Sequence, residues 1–139
     1  MTHLFEQTLS DGSLVEIETY KYDVRGNQIE NYYYHVELIN NHYEYPLTSI
    51  EYRSYDNMNN VIKQVNFDSK GILTGTQIYK YDKYNNIIDE KRSNATGSMG
   101  YRSTTMFEYD KYGNWIKQTT FTDAVPTSYK EREIEYYYR

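Results

Sequence analysis

Tyr22-Asp23-Val24-Arg25-Gly26-Asn27, Tyr55-Asp56-Asn57-Met58-Asn59-Asn60, Tyr81-Asp82-Lys83-Tyr84-Asn85-Asn86 and Tyr109-Asp110-Lys111-Tyr112-Gly113-Asn114 are one phrase written four times. In each copy an isoleucine follows the Asp by six residues, at Ile29, Ile62, Ile88 and Ile116. A repeat this plain decides the architecture before any other feature is weighed. Asp followed three residues later by Gly or Asn predicts a type I turn closed by a left-handed residue, because the carboxylate accepts from the turn's own backbone. The fourth positions are Gly26, Asn59, Asn85 and Gly113, the two residue types that enter the left-handed region most readily. Such a turn, continued by a bulge, joins antiparallel strands. Asp68-Ser69-Lys70-Gly71 is a fifth, degenerate copy.

Further breaks fall at Ser10-Asp11-Gly12, Asn40-Asn41, residues 94–100 and Asp123-Ala124-Val125-Pro126. Together the breaks cut the chain into ten strands, at 2–9, 13–23, 27–38, 43–56, 60–67, 72–82, 86–94, 101–110, 114–122 and 127–138. The four Tyr-Asp turns are then the even-numbered breaks, which in an up-and-down meander share one edge of the sheet. The expected fold is all-β, one domain over 1–139 with Tyr-Asp turns near 23–26, 56–59, 82–85 and 110–113. An open curled sheet is expected, with a closed barrel as the alternative.

Composition points the same way. Nineteen tyrosines stand against four phenylalanines and one tryptophan, and both faces of each strand are mixed. Tyrosine ladders therefore replace a thick aliphatic core, each cross-strand aromatic pair contributing roughly 0.2–1 kcal/mol. No cysteine is present, so disulfides and thiolate metal sites are excluded. No apolar run has the length of a membrane span, and residues 1–20 lack a signal-peptide pattern. A net charge of −5 with scattered Lys and Arg argues against a nucleic-acid partner, which needs clustered positive charge.

The four phrases, and the final stretch Tyr109-Asp110-Lys111-Tyr112-Gly113-Asn114-Trp115-Ile116-Lys117 through Arg132-Glu133-Ile134-Glu135-Tyr136-Tyr137, resemble the YD-repeat family. These are the tyrosine–aspartate repeats of Rhs proteins, bacterial toxin shells and teneurins. Small YD-type proteins of Bacteroidetes-like bacteria are similar at their C-terminal end. The resemblance implies spiralling β-sheets that serve as shells or stalks, sugar-binding in some members, and an extracellular or cell-envelope location. With so few repeats and no visible counterpart of the self-cleaving segment of Rhs shells, enclosure of a cargo toxin is not expected of this chain.

His35 and His42 flank Asn40-Asn41 and, joined by Glu37 or Glu44, would suit a metal, but two polar strand residues near a loop is the favoured reading. The turn aspartates lack the alternating oxygen ligands of a calcium loop. Carboxylate pairs such as Asp89-Glu90 and Glu131 with Glu133 and Glu135 occur by chance in any strand. No catalytic, cofactor or metal residue is assigned. The structural turn residues are Asp23, Gly26, Asp56, Asn59, Asp82, Asn85, Asp110 and Gly113, and the candidates for stacking on a ligand are Trp115, Tyr22, Tyr55, Tyr81 and Tyr109. The expected role is a non-enzymatic structural or protein-binding module that self-associates through its sheet edges. A carbohydrate-binding module using exposed Tyr and Trp is the alternative, and a small hydrolase with a carboxylate pair stands behind it.

Overall fold

The computed structural model describes the backbone of residues 2–8 and 14–137 and the side chains of 16–137. The break expected at Ser10-Asp11-Gly12 and the ends of the strands around it lie outside the described residues, as does Tyr138. Twelve strands follow one another: β1 (Thr2–Thr8), β2 (Leu14–Tyr22), β3 (Gln28–His35), β4 (Glu37–Ile39), β5 (His42–Glu44), β6 (Leu47–Tyr55), β7 (Val61–Asp68), β8 (Leu73–Tyr81), β9 (Ile87–Asn94), β10 (Met99–Tyr109), β11 (Trp115–Thr122) and β12 (Val125–Glu131). Ten of them form one antiparallel meander in the order β1-β2-β3-β6-β7-β8-β9-β10-β11-β12, and β4 and β5 form a separate hairpin. No helix occurs among the described residues.

The all-β meander agrees with the sequence reading, and the closed barrel does not form. β1 and β12 are the two ends of the strand order and are not paired with each other. Two boundaries differ from expectation. The strands expected at 27–38 and 43–56 stop pairing at Tyr34–Leu47, and His35 N–H donates to the Pro46 carbonyl at 3.1 Å to close the base of the β4–β5 hairpin. Proline has no N–H and cannot continue a ladder, so the chain leaves the sheet there. The last strand ends at Glu131 rather than continuing to residue 138, and 132–137 run on without a regular ladder.

Substantial packing is confined to ladder neighbours, so the sheet is a single layer. No apolar side chain is buried among the described residues, and the buried residues are Asn31, Glu51 and Asp89. One face is nevertheless better covered than the other. Along β6, Ser49, Glu51, Arg53 and Tyr55 are covered while Thr48, Tyr52 and Ser54 are exposed, and β10 repeats the pattern with Tyr101, Ser103, Thr105 and Phe107 against Arg102, Met106 and Glu108. The face that carries Glu51 is the inner face; β9 departs from the pattern, since Asp89, opposite Lys80 and Thr104, is buried on the other face beside Arg102.

That inner face is held by polar pairs. Asn31 lies opposite both Tyr20 and Glu51, and Arg53 lies opposite Gln64. Asn31 Nδ2 donates to Glu18 at 3.2 Å, and Gln64 Nε2 donates to Glu51 at 2.5 Å. Arg53 forms an ion pair with Glu51. The Glu51 carboxylate is offset by Gln64 across the ladder and by Arg53 on its own strand, whereas Asn31 Oδ1 is buried without a hydrogen-bond partner.

Candidate functional site: the tyrosine–aspartate turn rim

All four Tyr-Asp turns lie along one rim of the sheet, and each is built the same way. The Asp Oδ1 accepts from the amides two and four residues later: Arg25 and Asn27 for Asp23, Met58 and Asn60 for Asp56, Tyr84 and Asn86 for Asp82, Tyr112 and Asn114 for Asp110, all at 2.8–3.0 Å. The fourth residue is left-handed in every copy, with φ of 83° at Gly26, 65° at Asn59, 64° at Asn85 and 85° at Gly113. The ladder slips by one residue just before each motif tyrosine, which sets Tyr22, Tyr55, Tyr81 and Tyr109 opposite Gln28, Val61, Ile87 and Trp115. This slip is the bulge that the turn type calls for.

The opposite rim uses the same device twice. Asp68 caps the turn ending at Gly71 (φ 77°), and Asn94 caps one ending at Gly97 (φ 80°) by accepting from Thr96 and Ser98 at 3.1 Å each. The Asn94 turn is a sixth copy that the sequence showed only as a turn-rich stretch. An amide oxygen replaces a carboxylate there without changing the geometry.

Each turn on the Tyr-Asp rim is joined to the next. Asn27 Nδ2 bridges its own Asp23 (3.0 Å) and Asn59 Oδ1 of the following turn (3.0 Å), and Asn60 Nδ2 likewise bridges Asp56 (3.0 Å) and Asn85 Oδ1 (3.1 Å). Beside these bridges the Tyr55 and Tyr81 hydroxyls donate to the carbonyls of Gln28 (2.7 Å) and Val61 (2.8 Å). In the second half the pattern changes. Tyr109 donates directly to the Asp82 carboxylate and accepts from Asn86 Nδ2 at 2.9 Å. Tyr136 does the same to Asp110, with Asn114 Nδ2 at 2.6 Å. Two ring contacts accompany this mode, Tyr84 on Tyr109 (centroids 4.3 Å apart) and Tyr112 on Tyr136 (4.4 Å).

Protonation follows the bonding. The amide of Asn27 lowers the Asp23 pKa, and the backbone and side chain of Asn60 lower that of Asp56. Partial burial works to raise Asp82, but the Tyr109 hydroxyl and the turn amides outweigh it and hold the carboxyl below its usual range. Asp110 is lowered chiefly by Tyr136. On the phenol side, desolvation and then the Asp82 hydrogen bond push Tyr109 up to about 12.

The candidates for ligand stacking are thus placed within the rim's own architecture. Tyr22, Tyr55, Tyr81, Tyr109 and Trp115 are all half-covered rather than exposed. The Trp115 ring lies beneath the Arg132 guanidinium, 3.8 Å from its centroid, and Arg132 Nε donates to the Trp115 carbonyl at 2.6 Å. Glu37 pairs across β4–β5 with Glu44, and Ile39 with His42, whereas His35 lies opposite Glu16. Among the described residues no group of three His, Cys, Asp or Glu side chains is arranged to hold a metal ion. Two participants carried no role in the sequence reading. The Asn closing each phrase was in plain view at the same position four times, and Tyr136 stands 27 residues after Tyr109, where a fifth motif tyrosine falls due.

No family model matches the chain, and no curated protein is similar to it. Among solved structures, the crystal structure of TcdB2-TccC3-TEV matches with a TM-score of 0.34 and 12% identity over 87% of this chain. The chain spans 9% of the length of that neighbour.

Proposed function

We propose that this chain is a non-enzymatic structural and protein-binding module of the YD-repeat type, completed along its open β12 edge by a strand of a second copy. The observation that carries the reading is the absence of a buried apolar side chain among the described residues of a ten-stranded sheet. A sheet ordinarily buries one face against another layer. Here the accessible surface is 9953 Å², against about 7,700 Å² for a compact monomer of this mass. The excess, about 2,200 Å² on one chain, is well above the roughly 800 Å² that each partner of a standard interface buries.

β12 supports the reading in detail. Every residue from Val125 to Glu131 is exposed, and its outer side has no ladder partner. Pro126 and the register slip beside it blunt the first half of this edge, whereas Ser128–Glu131 keep a regular register against β11. Beyond it, residues 131–134 and Tyr136 border a cavity of about 430 Å³ with Asp110 and Ile116. An added strand would extend the ladder along this stretch. The half-covered state of Trp115 and the motif tyrosines does not favour a glycan platform. An extracellular or envelope location, which the YD-type resemblance implies, belongs to the same proposal, and protease accessibility of the tagged chain on intact cells tests it.

Sedimentation analysis tests the edge. Adjacent N–H groups of a strand point to opposite sides, so Ser128→Pro and Tyr129→Pro separate the outer edge from the inner ladder. The variant that spares the β11 ladder keeps the far-UV spectrum and loses self-association. A wild-type chain that stays monomeric at all concentrations, or two variants that associate like wild type, would defeat the proposal.

A further inference from the structure

We propose that Tyr84 with Tyr109, and Tyr112 with Tyr136, are sites of oxidative cross-linking, each pair arranged to join as dityrosine when a one-electron oxidant reaches the Tyr-Asp rim. This inference is separate from the β12 edge and does not depend on what occupies that edge.

Two features that are separate in the sequence occur together in the structure. The fourth position of the phrase is Arg25 and Met58 in the first two copies, and Tyr84 and Tyr112 in the last two. After the first two copies, the tyrosine of the next repeat donates to a backbone carbonyl. After the last two it donates to the turn carboxylate, Tyr109 to Asp82 and Tyr136 to Asp110. Each phenol held on a carboxylate therefore has a second phenol against its ring. The centroids are 4.3 Å apart for Tyr84 and Tyr109, and 4.4 Å apart for Tyr112 and Tyr136. Ring packing alone asks for no base beside either hydroxyl.

Phenol coupling asks for both. A phenol gives up an electron more readily when its proton has an acceptor, and a hydrogen-bonded carboxylate is one. Asp82 and Asp110 are fixed for this task, because the turn amides hold the other oxygen of each. Tyr84 and Tyr112 are 39% and 49% exposed, so an oxidant in solution reaches them and water takes their protons. In each pair, both phenols lose one electron to the oxidant and one proton, to the aspartate on one side and to water on the other. The two phenoxyl radicals then form a carbon–carbon bond between ring positions ortho to the hydroxyls. The hydrogens on those carbons move to the oxygens, which restores both phenols. An oxidant of the class that haem peroxidases generate thus gains two electrons per link, and the protein loses two hydrogens. Rings already in contact couple without a diffusional search.

Such links do for this sheet what disulfides do elsewhere. The chain has no cysteine, and no apolar side chain is buried among the described residues. A Tyr84–Tyr109 link closes a loop that holds β9 and β10, and a Tyr112–Tyr136 link one that holds β11 and β12. Closing these loops restricts the unfolded chain.

The test treats the full chain, at high dilution, with a haem peroxidase and limiting hydrogen peroxide, then maps the linked peptides. The expected product is a fluorescent monomer, lighter by two hydrogens per link, in which Tyr84 is joined to Tyr109 and Tyr112 to Tyr136. Its urea midpoint should lie above that of the untreated chain. Tyr84→Phe should lose the first link and keep the second, and Tyr112→Phe the reverse. Asp82→Asn keeps an oxygen for the turn amides, as Asn94 does in its own turn, and should lower the yield of the first link alone. Exposure by itself would direct oxidation to Tyr137, 84% exposed, and to Tyr129 and Tyr43. Links at those residues in place of the two pairs overturn the proposal. So do equal yields from Asp82→Asn and wild type, or a linked monomer whose urea midpoint has not moved.

Discussion

The first two junctions of the Tyr-Asp rim and the last two are built from the same phrase and joined by different bonds. Between the turns at Asp23, Asp56 and Asp82, an asparagine amide reaches forward to the left-handed Asn of the next turn. Between Asp82 and Asp110 that receiving residue is Gly113, which offers no side-chain oxygen, and Asn86 Nδ2 donates to the Tyr109 hydroxyl instead. Beyond Asp110 no further Tyr-Asp turn follows in the described chain, and Asn114 takes Tyr136. The tyrosine is then drawn from a backbone carbonyl onto the carboxylate itself. One residue, Asn or Gly at the fourth position, thus decides whether amides or phenols join the repeats. Gly113 does more than permit its φ. A Cβ there would stand 2.7 Å from the Tyr84 ring, whereas at Gly26 it would meet nothing within 4 Å.

The largest way to separate the halves is pH. The four turn aspartates have folded pKa values below the unfolded value of about 3.9, so their contribution is present above that pH and is lost as pH falls through the folded values. Both halves should fail together in acid. At the alkaline end only the second half places a motif phenol on a carboxylate. Tyr109 is raised to about 12 from about 10, so its contribution is complete below pH 10 and is lost between about 10 and 12. Tyr20, raised by burial and Glu18, and Tyr32, raised by Tyr52, burial and Glu30, make β2 and β3 base-sensitive as well, so the halves differ at the turns. Amide exchange should show the Tyr84 and Asn86 amides of the Asp82 turn opening in base before those of the Asp56 turn, and simultaneous opening of the two turns would dissolve the distinction.

Next come the glycines. Gly26→Val introduces strain in a left-handed turn and should cost about 1–2 kcal/mol. Gly113→Val adds a collision with Tyr84 and should cost about 3 kcal/mol, read from urea midpoints. Equal costs would mean that Tyr84 gives way freely. Tyr109→Phe should then cost about 1 kcal/mol, since a hydrogen bond to a carboxylate is lost but the site is partly solvated. Tyr81→Phe, which loses a bond to a neutral carbonyl, should cost about 0.5 kcal/mol. The smallest effect is Asn59→Gly, about 0.5 kcal/mol or less, because it removes one amide bridge while easing the backbone. Its informative readout is structural: Tyr55 should move toward Asp23, as Tyr109 does toward Asp82.

Much of this was written in the sequence because turns are local. Asp at one position and Gly or Asn three later fix the cap, the positive φ and the bulge, and the spacing of turns then fixes ten strands and a shared rim. What distant partners decide was not legible. Nothing near Trp115 shows that Arg132 covers its ring, because Arg132 arrives from the far end of the following strand. The departure of the β4–β5 hairpin had a signal, Pro46, but the Asn40-Asn41 turn taken alone pointed to two longer strands. The inner face was hidden for a different reason. Its buried residues are Asn31 and Glu51, which hydropathy assigns to solvent, and cross-strand polar neighbours rather than apolar ones cover them.

The central claim is that turn junctions and polar pairs, not an apolar core, hold this sheet. Scanning calorimetry tests it through the heat-capacity change of unfolding, which reports the apolar surface exposed. A chain of 139 residues with an ordinary core gives about 2 kcal/mol/K. The account predicts a value well below that at high dilution, rising with concentration as copies cover one another. An ordinary value at high dilution, unchanged by concentration, would contradict it.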